Sequence, residues 1–250
     1  MTMNRRNFLA LGTTIFTPFI FADSNNNLQR ISKKWYLPSS LAGSPNNLIL
    51  SVRDTDSALG RYNLPGYTKS ITLDELVKYH GHSCDGIVFS FLQLSVALRE
   101  LFKDGVIDRT DLRGACKNSP CMVDALSYMT GARINFKTLR IDQSLGISHI
   151  VQKISTGETY QVVLADGIFD ENFKRTETYI RSKISAGKPV LPSEIDTFES
   201  MSTGFIEKIL SMPLEKLISI KRLSYYAFEP NSSIEAFGNR SDIANKNVSR

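Results

Sequence analysis

Residues 79–86 read Tyr79-His80-Gly81-His82-Ser83-Cys84-Asp85-Gly86, at the point where one helical pattern stops and another starts. Before the octapeptide, Leu73, Leu76 and Val77 recur at helical spacing behind Thr72, with Glu75 three residues on, the arrangement of a capping box. After it, Ile87, Phe91, Leu94, Leu98 and Leu101 fall on one broad stripe of a helix that begins near Asp85-Gly86. Gly81 interrupts the pattern between them. The octapeptide therefore predicts a joint between two helices, and it loads that joint with two imidazoles and a thiol.

Those side chains are scarce elsewhere. The chain holds three His and three Cys, and His80, His82, Cys84, Cys116, Cys121 and His149 account for all of them. Imidazole and thiolate are the donors that borderline-soft ions such as zinc prefer. His80 and His82 are separated by one glycine, a spacing that points both rings the same way in an extended stretch. Gly81 also lets backbone come close to an ion. Asn118-Ser119-Pro120 announces a further helix, with Ser119 as N-cap and Pro120 at the first helical position, running to Gly131. Cys121 is then the second residue of that helix, and Cys84 opens the helix after the octapeptide. Unpaired N–H groups and the helix dipole favour an anion at both places and lower a thiol's pKa. If the two N-termini converge, one ion can be held by Cys84, Cys121 and one or both of His80 and His82. Asp124 stands three residues after Cys121 on the same helical face, placed to accept an imidazole N–H or a proton.

Other readings of the thiols stay open. A Cys84–Cys121 or Cys116–Cys121 disulfide, or inert buried thiols, would suit an oxidising compartment. His149 reads as a strand histidine, and Cys116 as a neighbour of the site or a free thiol. Trp35, Phe89, Phe91 and Phe102 read as core or lid residues.

The rest of the chain frames this cluster. Residues 1–22 form an export signal: Arg5-Arg6-Asn7-Phe8-Leu9 matches a twin-arginine core, and the apolar stretch to Ala22 is short and broken by Pro18. An uncleaved anchor or a chance basic start is the plainer alternative. Residues 23–70 are an extension rich in Asn, Ser, Gly and Pro, with apolar islands at Trp35-Tyr36-Leu37 and Leu48-Ile49-Leu50, expected to wrap over a core built further along. Residues 71–225 form the main domain, and 226–250 a polar tail. Within the domain, Ser148–Ile154 and Thr159–Leu164 read as a hairpin turning at Thr156-Gly157-Glu158. Residues 169–210 are helical with a break at 187–192, and the basic residues of 174–188 mark a solvated face.

Composition excludes several classes. At 250 residues, 42% hydrophobic and 22% charged, the chain is that of a globular protein with no spanning segment after the leader. A net charge of +5, with Arg5 and Arg6 in the leader, is too mild and too spread to argue for nucleic acid. A phosphate-binding Gly-rich loop, a haem-attachment motif and a Ser-His-Asp order are all missing. A homodimer remains open.

The octapeptide resembles the His-Gly-His-x-Cys-Pro-Gly signature of the FmdE family, which takes its name from a component of formylmethanofuran dehydrogenase. Cys121-Met122-Val123-Asp124-Ala125-Leu126, followed by Thr130-Gly131, resembles that family's Cys-x-x-Asp-Ala segment and glycine. The hairpin with His149 sits where the family has a strand pair, and Leu210-Ser211-Met212-Pro213-Leu214 is similar to a segment near the family domain's end. The resemblance spans roughly residues 70–223. It implies an α+β domain with helices packed on a small antiparallel sheet and a zinc-type site. Carried over residue by residue, it makes His82, Cys84 and Cys121 the leading ligands, His80 the next, and Asp124 a close neighbour. Asp85 departs from the family's proline and puts a carboxylate near the site, and no four-cysteine ribbon follows Cys121.

The expectation is an exported metalloprotein that binds zinc or a similar divalent transition ion and takes a small ligand at an open coordination position. The alternatives are an enzyme of hydrolysis or group transfer, using Cys84 as nucleophile or Asp124 to assist a metal-activated water, and a closed site that braces two helices.

Overall fold

The computed structural model of the chain describes residues 36–55, 59–62, 64 and 66–228. Residues 1–35, which include the expected export signal and Trp35, and residues 229–250 of the expected tail lie outside the described residues. The first layer is β1 (Ile49–Arg53) and β2 (Lys69–Thr72), followed directly by α1 (Leu73–His80) and α2 (Asp85–Leu101). Next come β3 (Val106–Asp108), β4 (Leu112–Cys116) and α3 (Pro120–Thr130). Strands β5 (Leu139–Ile141), β6 (Ser148–Lys153) and β7 (Thr159–Leu164) lead to α4 (Glu171–Ser185) and α5 (Pro192–Ser211). A single turn, α6 (Leu214–Leu217), runs into β8 (Ile218–Leu223).

The class is α+β, as expected, but the sheets are two and mixed rather than one small antiparallel sheet. A three-stranded sheet has the order β2-β1-β3, with β1 antiparallel to β2 and parallel to β3. A five-stranded sheet has the order β5-β4-β6-β7-β8, antiparallel throughout except for the β4–β5 pair. The expected hairpin forms its centre as β6 and β7. The strands that the apolar pattern leaves unannounced are those whose partners lie far away in sequence. β8 is an edge strand whose four central residues are exposed, and its Lys221 and Arg222 keep that edge from pairing with another chain.

α2 lies at the centre. Its predicted stripe of Ile87, Phe91, Leu94, Leu98 and Leu101 is buried, but so are Val88, Phe89, Leu92 and Ala97 on the other sides. A helix apolar all round belongs inside. α1, α3 and α5 pack around it, and β6, β7 and β8 lie beneath it. Within the described part of the extension before residue 70, Leu41, Leu48, Leu50 and Val52 join the same core. Buried Asn46 ties it down, donating from Nδ2 to the carbonyls of Ile209 at 2.9 Å and Met212 at 2.7 Å where α5 ends. The described chain continues past the predicted boundary at 225: Tyr226 donates to Asp142 Oδ2 at 2.7 Å, and the Phe228 ring sits against the Arg113 guanidinium.

His149, in β6 as its strand reading implies, is fully buried. Its Nδ1 lies 2.7 Å from Gln93 Oε1 of α2 and its Nε2 3.4 Å from the Met122 carbonyl of α3. The Gln93 amide donates to the Ile147 carbonyl at 3.2 Å, which turns its oxygen toward the imidazole and makes Nδ1 the donor. Burial pulls His149 down to about 4 against the opposing effect of the Met122 carbonyl. The folded chain keeps the ring neutral where an unfolded one, near 6.5, takes up a proton. Stability owed to this ring is therefore complete above pH ~6.5 and is lost as pH falls toward 4. Urea unfolding between about pH 4 and 7 is expected to show wild-type stability falling more steeply with acid than that of His149→Gln, by up to about 3 kcal/mol. Parallel pH profiles for the two proteins would contradict this account.

Candidate metal centre

The site is assembled from three helix ends. α1 starts on the predicted capping box: Thr72 N–H donates to Glu75 Oε2 at 2.8 Å, and Glu75 N–H to Thr72 Oγ1 at 3.4 Å. It ends at His80, because Gly81 takes a left-handed conformation (φ +109°) and returns its N–H to the Val77 carbonyl at 2.8 Å. The chain then turns through His82 and Ser83 to Cys84. Cys84 is the N-cap of α2, and its sulfur accepts the Ile87 N–H at 3.4 Å, the task a serine or aspartate usually performs. Pro120 opens α3 as predicted, but Ser119 makes no side-chain cap bond, and Cys121 stands in the first turn.

These ends converge. Among the described residues, the donor atoms of His80, His82 and Cys84 form a group lying within 4.8 Å of one another. Cys121 Sγ is 3.3 Å from Cys84 Sγ, and His80 Nε2 is 3.8 Å from Cys84 Sγ. His80 Nδ1 lies 2.8 Å from Asp124 Oδ2, so the carboxylate takes the N–H and leaves Nε2 facing the sulfur. The His80 side chain is only 4% exposed and that of Asp124 33%, while His82 faces solvent. The two imidazoles sit 4.8 Å apart and tilted by 38°. They do not share the extended stretch expected from their spacing, since His80 belongs to a helix and Gly81 reverses the chain. Cys116 and His149 are elsewhere: they face each other across β4 and β6, both fully buried.

The electrostatics differ from the sequence expectation in one respect. Helix N-termini predict a lowered pKa for both thiols. Only Cys121 is lowered, chiefly through the hydrogen bond from Cys84, with burial opposing. Cys84 is pushed up to about 12 by that same bond and by burial. For His80, burial pulls downward, but the bonds and charges of Asp124 and Cys84 outweigh it and raise the ring to about 9. Asp85, the departure from the family pattern, is raised by burial and accepts from Ser202 Oγ of α5 at 3.3 Å. Its carboxylate is thereby drawn toward α5.

The donor set fits a borderline-soft cation: two imidazoles and two sulfurs, with a carboxylate fixing one ring's tautomer. Two sulfurs on one tetrahedral zinc sit about 3.8 Å apart, given a Zn–S bond of about 2.3 Å. An ion therefore needs Cys84 and Cys121 to part by roughly half an ångström. Their room comes from Gly86, to which sequence reasoning assigns no role. A Cβ there would meet Cys121 Sγ at 2.8 Å and Cys121 Cβ at 3.0 Å. The one signal available is a glycine in the first turn of a helix, where it weakens the helix and must have another reason.

A comparison with models of protein families matches residues 79–219 to FmdE, described as "Molybdenum formylmethanofuran dehydrogenase operon". The chain belongs to the FmdE family. The matched region starts one residue before His80 and so takes in all five site residues, whereas β1, β2 and most of α1 precede it. A search of curated proteins finds no match for the chain. As an FmdE-family member with a His/Cys group able to hold a metal ion, the chain fits a metal-binding protein.

Gly86→Ala tests the packing of the sulfurs directly. The added methyl has to displace Cys121, which is expected to lower stability by about 1–3 kcal/mol. It is also expected to weaken metal binding on the order of tenfold or more, as for other changes that misplace ligands. Chelator competition and thermal unfolding measure the two effects. A variant indistinguishable from wild type in both would show that the sulfurs do not need this cradle.

Proposed function

We propose that this protein is an exported zinc-binding protein that captures a small ligand at its His/Cys site. The observation that carries the reading is the His80–Asp124 pair. A carboxylate holding Nδ1–H aims Nε2 at Cys84 and raises the basicity of the ring, an arrangement typical of metal-ligating histidines. His80, His82, Cys84 and Cys121 would hold the ion. When bound, zinc supplies Lewis acidity to whatever lies against it. The protein's own side chains do the rest. Cys84 and Cys121 anchor the inner side from two helix N-termini. The solvent-facing His82, with the part-exposed Asp124 nearby, leaves the outer side within reach of a small molecule. The export reading is supported by Arg5-Arg6 and the apolar stretch after them, which lie outside the described residues.

A second reading rests on one alignment of side chains. Cys84 Sγ, His80 and Asp124 follow one another as nucleophile, base and orienting carboxylate, at 3.8 Å and 2.8 Å. In that enzyme, Cys84 would attack and His80 would take its proton. The upward push on Cys84 from the Cys121 bond and from burial works against the thiolate this reading needs and ranks it second.

Purified under reducing conditions, the chain is expected to carry about one zinc, measured by elemental mass spectrometry. Cys84→Ser and Cys121→Ser are expected to lose tight binding, and Cys116→Ser to keep it. Absence of metal, or greatest damage from Cys116→Ser, would overturn the proposal. Asp124→Asn is expected to bind metal about 10–100-fold more weakly and to blunt the response of the cobalt-substituted site to imidazole. A wild-type cobalt spectrum that imidazole never perturbs means a closed shell and ends the ligand-capture reading. Arg5→Lys with Arg6→Lys is expected to hold the protein in the cytoplasm, read by cell fractionation, and normal export would remove the twin-arginine assignment.

A further inference from the structure

The two sulfurs at the centre are placed for chemistry with each other. Cys84 and Cys121 are both free thiols, 3.3 Å apart, closer than one shared tetrahedral ion requires. They sit at the N-terminal ends of α2 and α3, helices packed side by side, so their approach is set by two rigid supports. Gly86 leaves Cys121 without a Cβ against its sulfur. Both residues are partly exposed beside solvent-facing His82, and a reagent can reach them. The third thiol, Cys116, is fully buried in β4, opposite His149, and takes no part.

We propose that Cys84 and Cys121 form a redox-modification site, a dithiol that a low-molecular-weight disulfide oxidises to an intramolecular disulfide. The thiolate of one cysteine attacks the S–S bond of the reagent RSSR, forms a mixed disulfide and expels RS⁻. The neighbouring thiol loses its proton to solvent, and its sulfur attacks the mixed disulfide. The Cys84–Cys121 bond forms and the second RS⁻ leaves. The protein loses two electrons and two protons, and the reagent becomes two RSH. Closing the bond brings the sulfurs together by roughly 1.3 Å, to the usual S–S length of about 2.05 Å. Oxidation also has a consequence that rests on the zinc reading above: it removes both sulfur donors and leaves only His80 and His82, so the ion is released.

The test begins with reduced, metal-free protein and oxidised glutathione, followed by peptide mapping. The expected product has lost two hydrogens, carries a Cys84–Cys121 linkage, and keeps Cys116 as a thiol that alkylates only after denaturation. Cys84→Ser and Cys121→Ser are each expected to stop at a stable glutathione adduct on the remaining cysteine. If both thiols stay reduced in excess reagent, or the linkage includes Cys116, the proposal is overturned. The same reaction on zinc-loaded protein, followed with a chromogenic chelator, is expected to release zinc in step with disulfide formed and to reverse with dithiothreitol. Zinc that binds and blocks oxidation completely overturns the switch and leaves the zinc reading intact. A disulfide formed in a chain that never binds zinc removes the zinc reading and leaves the dithiol site standing.

Discussion

Helix α2 is shielded over most of its length, and its register decides where the chemistry sits. From Gly86 to Ser95 every residue is buried, and the helix is enclosed by three other helices and the five-stranded sheet. A close-packed core does not let such a helix slide or rotate without losing contacts on all sides. Its first turn is therefore held in place, and with it the backbone of Cys84. α3 packs along the same helix and brings Cys121 to a sulfur–sulfur distance of 3.3 Å. The cluster is thus built at the rim of the core around α2, where burial fixes positions and the helix ends still meet solvent.

The polarity of those helix ends suits the groups they carry. Two N-termini, with unpaired N–H groups, face the sulfurs, and the last turn of α1 carries His80 where a positive ring is favoured. Asp124, one turn inside α3, completes the set by holding that ring. The same arrangement that would offer a cation both sulfurs holds them 3.3 Å apart, close enough for the proposed oxidation. The proposed metal binding and the proposed oxidation would compete for the same two atoms, a reducing environment favouring the first and an oxidising one the second. A deeper polar link supports the geometry: Gln93 of α2, His149 of β6 and the Met122 carbonyl of α3 meet in the core beneath the site.

Local features were legible because their causes are local. The Thr72–Glu75 capping box, the Gly81 and Gly131 helix stops, Pro120 at the start of α3 and the Thr156-Gly157 hairpin each depend on residues a few positions apart. The cluster of His80, His82 and Cys84 was legible for the same reason, and the Asp124 role followed from helical spacing. β1, β2, β3, β4, β5 and β8 were not legible as strands. Their pairing reaches across long stretches of sequence, as with β3 beside β1 or β8 beside β7, and short runs like Val106–Asp108 carry no periodicity of their own. The burial of α2 on all sides was hidden because its apolar stripe reads the same on a helix with one face covered.

By itself, then, the order of residues determined the helix boundaries around the octapeptide, the chemical type of the site and the donors available to it. The sequence reading favoured Cys121 as the partner of Cys84, and only the tertiary structure shows the two sulfurs together. Cys116 and Cys121 are five residues apart and chemically alike, but β4 turns Cys116 into the core against His149, while α3 lifts Cys121 toward the α2 N-terminus. It also decided what lies against position 86, where a Cβ would meet Cys121 Sγ at 2.8 Å. These are questions of distance between groups far apart in the chain or on different elements. Packing sets such distances, and no local propensity records them.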